Sequence, residues 1–136
     1  MIRPLILKVV HWQTILAHLQ NELPNEACGL LGGVNGVVQK VYLMENAAHN
    51  PWEYRMHPVA QVRVMLEIEA AGWELSSIFH SHPGGPPVPS AADVAQAYYP
   101  ESVYLIFAPD ERGAWRGRGF RIDEGRVEET PVQVAG

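Results

Sequence analysis

Asn35-Gly36 stands between two apolar runs, Gly29 to Val34 and Val37 to Leu43, and no other feature constrains the fold of this chain as much. Asn and Gly tolerate the positive φ that a type I′ turn requires, so the segment folds back on itself as an antiparallel hairpin. Before it, Trp12, Ile15, Leu16, Leu19 and Leu23 recur at helical spacing until Pro24 stops the pattern, which predicts an amphipathic helix. After it, Glu45 to His57 has no period and carries Asn46, Asn50 and Pro51, as a long loop does. Pro58 is a good first residue for a second helix, expected to bury Val59, Val62, Leu66 and Ala70 and to end at Gly72. Leu75 to His80 then reads as a strand entering a Pro/Gly loop, His82 to Pro89, and a short third helix follows Ser90. Val103 to Ala108 is expected as a buried strand, Ala114 to Ile122 as another, and Val127 to Val134 as an edge. With no repeat and no composition break, residues 1–136 read as a single domain.

Charge and cysteine content narrow the function classes. Ten Lys plus Arg against fifteen Asp plus Glu give a net charge of −5, a sign that repels phosphate backbones, so no nucleic-acid partner is expected. The cluster Arg112, Arg116, Arg118 and Arg121 is read as a solvated strand face. A lone cysteine, Cys28, closes no intramolecular disulfide, and the chain has no N-x-[ST] acceptor, so a cytoplasmic location is expected. The run Leu5 to Val10 is broken by Lys8, and Val103 to Pro109 falls far short of a bilayer span, so no membrane association is expected either.

His80-Ser81-His82 lies at a strand end, and alternation along a strand turns the two imidazoles to one side, as two ligands of one metal must be. Eleven residues on, Asp93 falls in the first turn of the helix that Ser90 caps, where the Pro-rich loop can return its carboxylate to the strand end. Two His and one Asp leave a fourth position open, the catalytic form of a zinc site, in which the metal lowers the pKa of water to about 7. Glu26, at the junction of the first helix and the Gly29 strand, is the best candidate for a general base. Taken alone, Glu26 reads as a solvated helix-end carboxylate and Ser90-Ala91-Ala92-Asp93 as a capping box. Cys28 is read as a small buried hydrophobe.

Together, Glu26-Ala27-Cys28-Gly29-Leu30-Leu31-Gly32, His80-Ser81-His82-Pro83 and Pro89-Ser90-Ala91-Ala92-Asp93 resemble the JAMM/MPN+ metalloprotease family. Its pattern is a Glu far upstream of H-[ST]-H, seven residues, Ser, two residues and Asp, and every position is met. The resemblance implies an α/β fold, with a mixed, mainly antiparallel curved sheet flanked by about three helices and a cytidine-deaminase-like architecture. It implies one Zn²⁺ per chain on His80, His82 and Asp93. Glu26 would move a proton from water to the leaving amine, and Ser90 would stabilise the oxyanion. It further implies hydrolysis of a peptide or isopeptide bond, commonly at the C-terminal glycine of a ubiquitin-like protein. Small stand-alone members look like the prokaryotic branch, whose substrates include sulfur carriers and their cysteine adducts. Asn46 to Pro58, with Tyr54-Arg55-Met56, and Ala114 to Ile122 look similar to the bacterial sulfur-carrier group. A homo-oligomer stays open, as does a non-catalytic MPN scaffold that binds partner proteins. A deaminase site needs P-C-x-x-C, which one cysteine cannot supply, and a (β/α)₈ barrel needs roughly 250 residues. A cupin would require a Glu soon after the H-x-H and an all-β chain.

Overall fold

A computed structural model describes residues 3–136; Met1 and Ile2 of the expected 1–136 domain lie outside the described residues. The elements run β1 (Leu5–Leu7), α1 (Val9–Glu22), β2 (Cys28–Val34), β3 (Val37–Met44), α2 (Pro58–Ala70), β4 (Glu74–Ser81), α3 (Ala91–Ala95), β5 (Val103–Pro109), β6 (Trp115–Asp123), β7 (Arg126–Thr130) and β8 (Val132–Val134). The hairpin forms where expected: Asn35 and Gly36 have φ of 52° and 81°, both positive as a type I′ turn demands.

The eight strands make one sheet in the order β7-β6-β5-β4-β2-β3-β1-β8. β2 pairs antiparallel with both β3 and β4, β5 with β6 and β6 with β7, while β4–β5, β1–β3 and β1–β8 are parallel. β7 and β8 sit at opposite ends of that order yet are separated only by Pro131, so the sheet must curl until its two edges approach. Gly119 on β6 is part of that approach, since a Cβ there would lie 2.8 Å from Val132 on β8. Register shifts at Leu31/Gly32 and Gly32/Gly33 supply curvature in β2.

Both faces of the sheet are buried, which is why its central strands read as unbroken apolar runs. On the concave face, Ile15 and Leu19 of α1 pack with Leu31, Phe79, Leu105 and Phe107; Trp12 meets Phe107 at 5.0 Å between ring centroids. On the other face, Ile68 of α2 joins Leu30, Ile78, Tyr104 and Ile106. Gly29 keeps the sheet closed at its centre, because a Cβ there would overlap the Phe79 ring and the Tyr42 carbonyl.

Four expectations are corrected. α2 does not bury Val59, Val62, Leu66 and Ala70; these are exposed, and the helix packs through Ala60, Val64, Met65 and Ile68. Both stripes of α2 are apolar at helical spacing, so periodicity could not choose between them. The ends choose: buried Met56 holds the entry, and at the exit a Schellman motif (Gly72 N–H to Glu69 C=O, Trp73 N–H to Ile68 C=O) seats Trp73 on the sheet. Val127 to Val134 is not one edge but two strands broken at Pro131, and Leu5–Leu7, read only as a short apolar run, is a strand of the sheet. Leu23 falls at the α1 C-cap and is exposed. No helix among the described residues is long and apolar enough to cross a membrane.

Candidate metal centre

The site forms at the C-terminal end of β4. His80 is the penultimate residue of that strand and His82 follows its end, where its backbone N–H donates to the Phe107 carbonyl at 2.7 Å. Ser81 between them faces the other way and ties in a third segment. Its N–H donates to the Ala27 carbonyl (3.0 Å), and its Oγ accepts from the Ala27 N–H (2.8 Å). This clamp sets Glu26, the next residue back, beside the histidines: a carboxylate oxygen of Glu26 and a ring nitrogen of each histidine lie within 4.8 Å of one another.

Asp93 arrives from α3. Ser90 caps that helix with its Oγ accepting from the Asp93 N–H at 3.0 Å, and Asp93 Oδ2 accepts in return from the Ser90 N–H at 2.9 Å. The same Oδ2 lies 3.1 Å from Nε2 of His80 and of His82, and the two Nε2 atoms are 3.0 Å apart. The capping and site roles of Asp93 therefore coexist on one oxygen. Three ligands at 2.0–2.1 Å around a tetrahedral zinc stand about 3.3 Å apart, so this near-equilateral triangle fits such an ion, and its His₂Asp donor set leaves one position open. His82 Nδ1 donates to the Pro86 carbonyl at 2.9 Å, which directs the Nε2 lone pair into the triangle. His80 Nδ1 has no hydrogen-bond partner among the described residues; its ring is held by stacking on Tyr54, 4.5 Å between centroids and 27° from parallel.

The electrostatics divide the acids. Burial pushes Glu26, 3% exposed, up to about 7, with His82 opposing and Asp93 and Glu53 adding to the rise. At Asp93 burial also disfavours the anion, but hydrogen bonds from His80 and His82 overcome it and hold the carboxyl well below the usual range. Burial depresses His80. For His82 burial acts the same way, yet the Asp93 and Pro86 hydrogen bonds outweigh it and raise the pKa. Glu26 is thus a proton acceptor of near-neutral strength and Asp93 a permanent anion.

Beside the triangle runs a groove of ≈ 240 Å³ lined by Glu26, Trp52, His82, Gly84, Pro86 and Ser90, among others. Trp52, 80% exposed, walls it: a Cβ on Gly84 would stand 3.4 Å from the indole. A larger cavity, ≈ 780 Å³, opens at the other end of β4 around Leu75, Ser76 and Tyr98 and holds none of the five site residues.

Sequence reasoning missed the groups that hold the site together. Asn46, buried in the 45–57 loop, donates from Nδ2 to the carbonyls of Glu26 and Glu53, both at 3.0 Å. Its Oδ1 accepts from the N–H groups of Ala48 (3.0 Å) and Arg55 (3.1 Å). Tyr54, Ser81 and Trp52 have no assigned role in the sequence reading either, since the Asn/Pro content of 45–57 identifies only a long loop. The remaining histidines stay apart from the triangle; His18 Nε2 lies 3.2 Å from the Cys28 and Met44 carbonyls, and His49 and His57 are exposed. Cys28 is fully buried, which pushes its thiol up to about 12. In the arginine segment, Arg116 pairs with Asp110 (3.0 Å) and Arg118 with Glu129 (2.7 Å).

Residues 8–118 match a family described as prokaryotic homologs of the JAB domain. A desampylase from Haloferax volcanii is 36% identical over 118 residues, spanning 79% of this chain and 85% of the relative. A CysO-cysteine peptidase from Mycobacterium bovis is 33% identical over 122 residues, 88% of this chain and 84% of the relative. Among solved structures, a protein from Desulfitobacterium hafniense superposes with a TM-score of 0.83 at 33% identity, covering 95% of this chain and 91% of its own. A JAMM structure, described as a metalloprotease-like zinc site in the proteasome and signalosome, shares the fold with a TM-score of 0.57 at 18% identity, over 98% and 99% of the two chains.

Proposed function

The chain belongs to the prokaryotic branch of the JAB-domain family, the JAMM/MPN+ group, and from that premise we propose that it is a zinc-dependent peptidase. Its reaction is hydrolysis of the peptide or isopeptide bond after the C-terminal glycine of a ubiquitin-like or sulfur-carrier protein, release of cysteine from a carrier adduct included. The relatives named for desampylation and for cysteine release from a carrier support that substrate class. The unit is the single domain read over 1–136, and the location is cytoplasmic. The observation that carries the reading is the 3.0–3.1 Å triangle of His80, His82 and Asp93 with buried Glu26 beside it.

His80 Nε2, His82 Nε2 and Asp93 Oδ2 would hold one zinc ion. Such an ion, when bound, acidifies water toward a pKa of about 7 and polarises a carbonyl oxygen. The protein supplies the rest. Glu26 accepts a proton from the attacking water and returns it to the leaving nitrogen, a task suited to a carboxyl poised near neutrality. Ser90 Oγ accepts from the Asp93 N–H, which fixes the hydroxyl while its own hydrogen can still donate to the developing oxyanion. The carrier tail lies in the groove lined by Glu26, Trp52, His82 and Pro86, where an extended glycine, having no side chain, passes most easily beside the indole.

The test is metal content together with cleavage of carrier C-terminal adducts: a cysteine adduct, a lysine isopeptide and a short peptide. Glu26→Gln is expected to keep its zinc and lose about 10²–10⁴ of the rate. His82→Ala is expected to lose the zinc. Undiminished turnover in the first variant or full zinc in the second overturns the assigned roles, and a parent protein that takes up no zinc on reconstitution favours a non-catalytic scaffold.

A further inference from the structure

The stripe of α2 that the core leaves unused has the pattern of a self-complementary surface. Val59, Val62 and Leu66 are 60%, 56% and 60% exposed, and exposed Ala70 continues the same line. Single exposed apolar residues need no explanation, whereas three large ones in a row on one helix mark an interface. Arg63 and Glu67 run along one flank of the stripe, and neither has an ion-pair partner among the described residues.

We propose that this stripe is a homodimer seam, with α2 of a second copy lying antiparallel across it about a two-fold axis level with Met65. In an antiparallel two-fold pair each flank of a helix meets the same flank of its mate. Arg63, two residues before the axis, then comes level with Glu67 of the second copy, two residues after it, and the pair occurs twice. With the same axis the two Leu66 side chains meet near the centre, Val62 packs beside the second copy's Leu66, and bulky Val59 at one end faces small Ala70. Charge and side-chain size select one register independently, as expected of a surface shaped to meet its own copy. A monomeric role leaves both regularities without cause.

α2 has 13 residues and is therefore about 20 Å long, so a single helix-on-helix contact buries less than the roughly 800 Å² per partner of a standard interface. The dimer is accordingly weak, forming at about 10–100 µM. Its existence does not depend on the proposed chemistry, and none of its residues touches the metal centre.

Sedimentation velocity over a concentration series tests it. The parent chain is expected to show a concentration-dependent monomer–dimer equilibrium, and Leu66→Glu to stay monomeric throughout. Arg63→Glu is expected to weaken the dimer about tenfold, while Arg63→Glu combined with Glu67→Arg restores it, because the exchanged charges pair again. An unchanged circular dichroism spectrum in each variant reports an intact fold. A parent chain monomeric across the series, a dimer indifferent to Leu66→Glu, or a double exchange no better than the single one overturns the proposal. So does a Leu66→Glu variant of unchanged mass but raised KM for a carrier adduct, which would make the stripe a substrate dock.

Discussion

At Glu26 the burial that lifts the carboxyl to about 7 acts on stability as well as on proton transfer. An unfolded chain ionises this group near 4.5, so between that pH and about 7 the folded chain keeps a proton that the unfolded chain has released. Its stabilising contribution is therefore complete below 4.5 and is lost as pH rises through about 7. Glu26→Gln mimics the protonated form. In chelator-treated protein it is expected to melt with the parent near pH 4.5 and above the parent beyond pH 7, a gain in stability at the expense of activity. Thermal melts across that range check it, and coincident melting above pH 7 counts against the burial argument. His80, His82, Ser90 and Asp93 were readable in the sequence, because strand alternation and capping are local rules with fixed spacings, whereas Glu26, which alone reads as a solvated carboxylate, was singled out by the helix–strand junction and by the family resemblance of the residues that follow it. Ser81, Tyr54 and Trp52 were not: they act through a backbone clamp, a stacked ring and a groove wall that join segments far apart in the chain.

Among the elements, the 45–57 loop shows how an aperiodic stretch can be the most organised part of a site. Four short bonds from the Asn46 amide tie its two ends to each other and to the carbonyl of Glu26. Asn46→Ala strands these backbone groups in a buried position, and urea denaturation is expected to show about 1–3 kcal/mol lost. Cleavage is expected to fall with it, since Glu26 loses an anchor. A variant with parental stability and rate would show the loop to be held by other contacts. The hairpin at Asn35-Gly36 and the Gly72 terminus of α2 were legible because each demands a backbone state few residues adopt. The buried face of α2 was not, because two apolar stripes compete on one helix and only its attachments at Met56 and Trp73 decide between them.

For the whole molecule, the decisive geometry is the meeting of the sheet's edges at Pro131. β1 and β8 pair as Leu5 with Val132, Ile6 with Gln133 and Leu7 with Val134, a pairing no local pattern could announce, since three-residue strands carry almost no period. Deleting Val132 to Gly136 is expected to strip hydrogen-exchange protection from Leu5 to Leu7 while β4 and β5 stay protected. Retained protection at β1 would mean that its single registered pair with β3 suffices. The seam also has a bearing on biosynthesis. β1 can meet β3 once Val37 has been made, but β8 is synthesised after all the other described strands, so the curled sheet closes only once translation has passed Val134. Until then Leu5 and Leu7, fully sequestered in the folded protein, lack the cover of β8 and are open on that side to other chains.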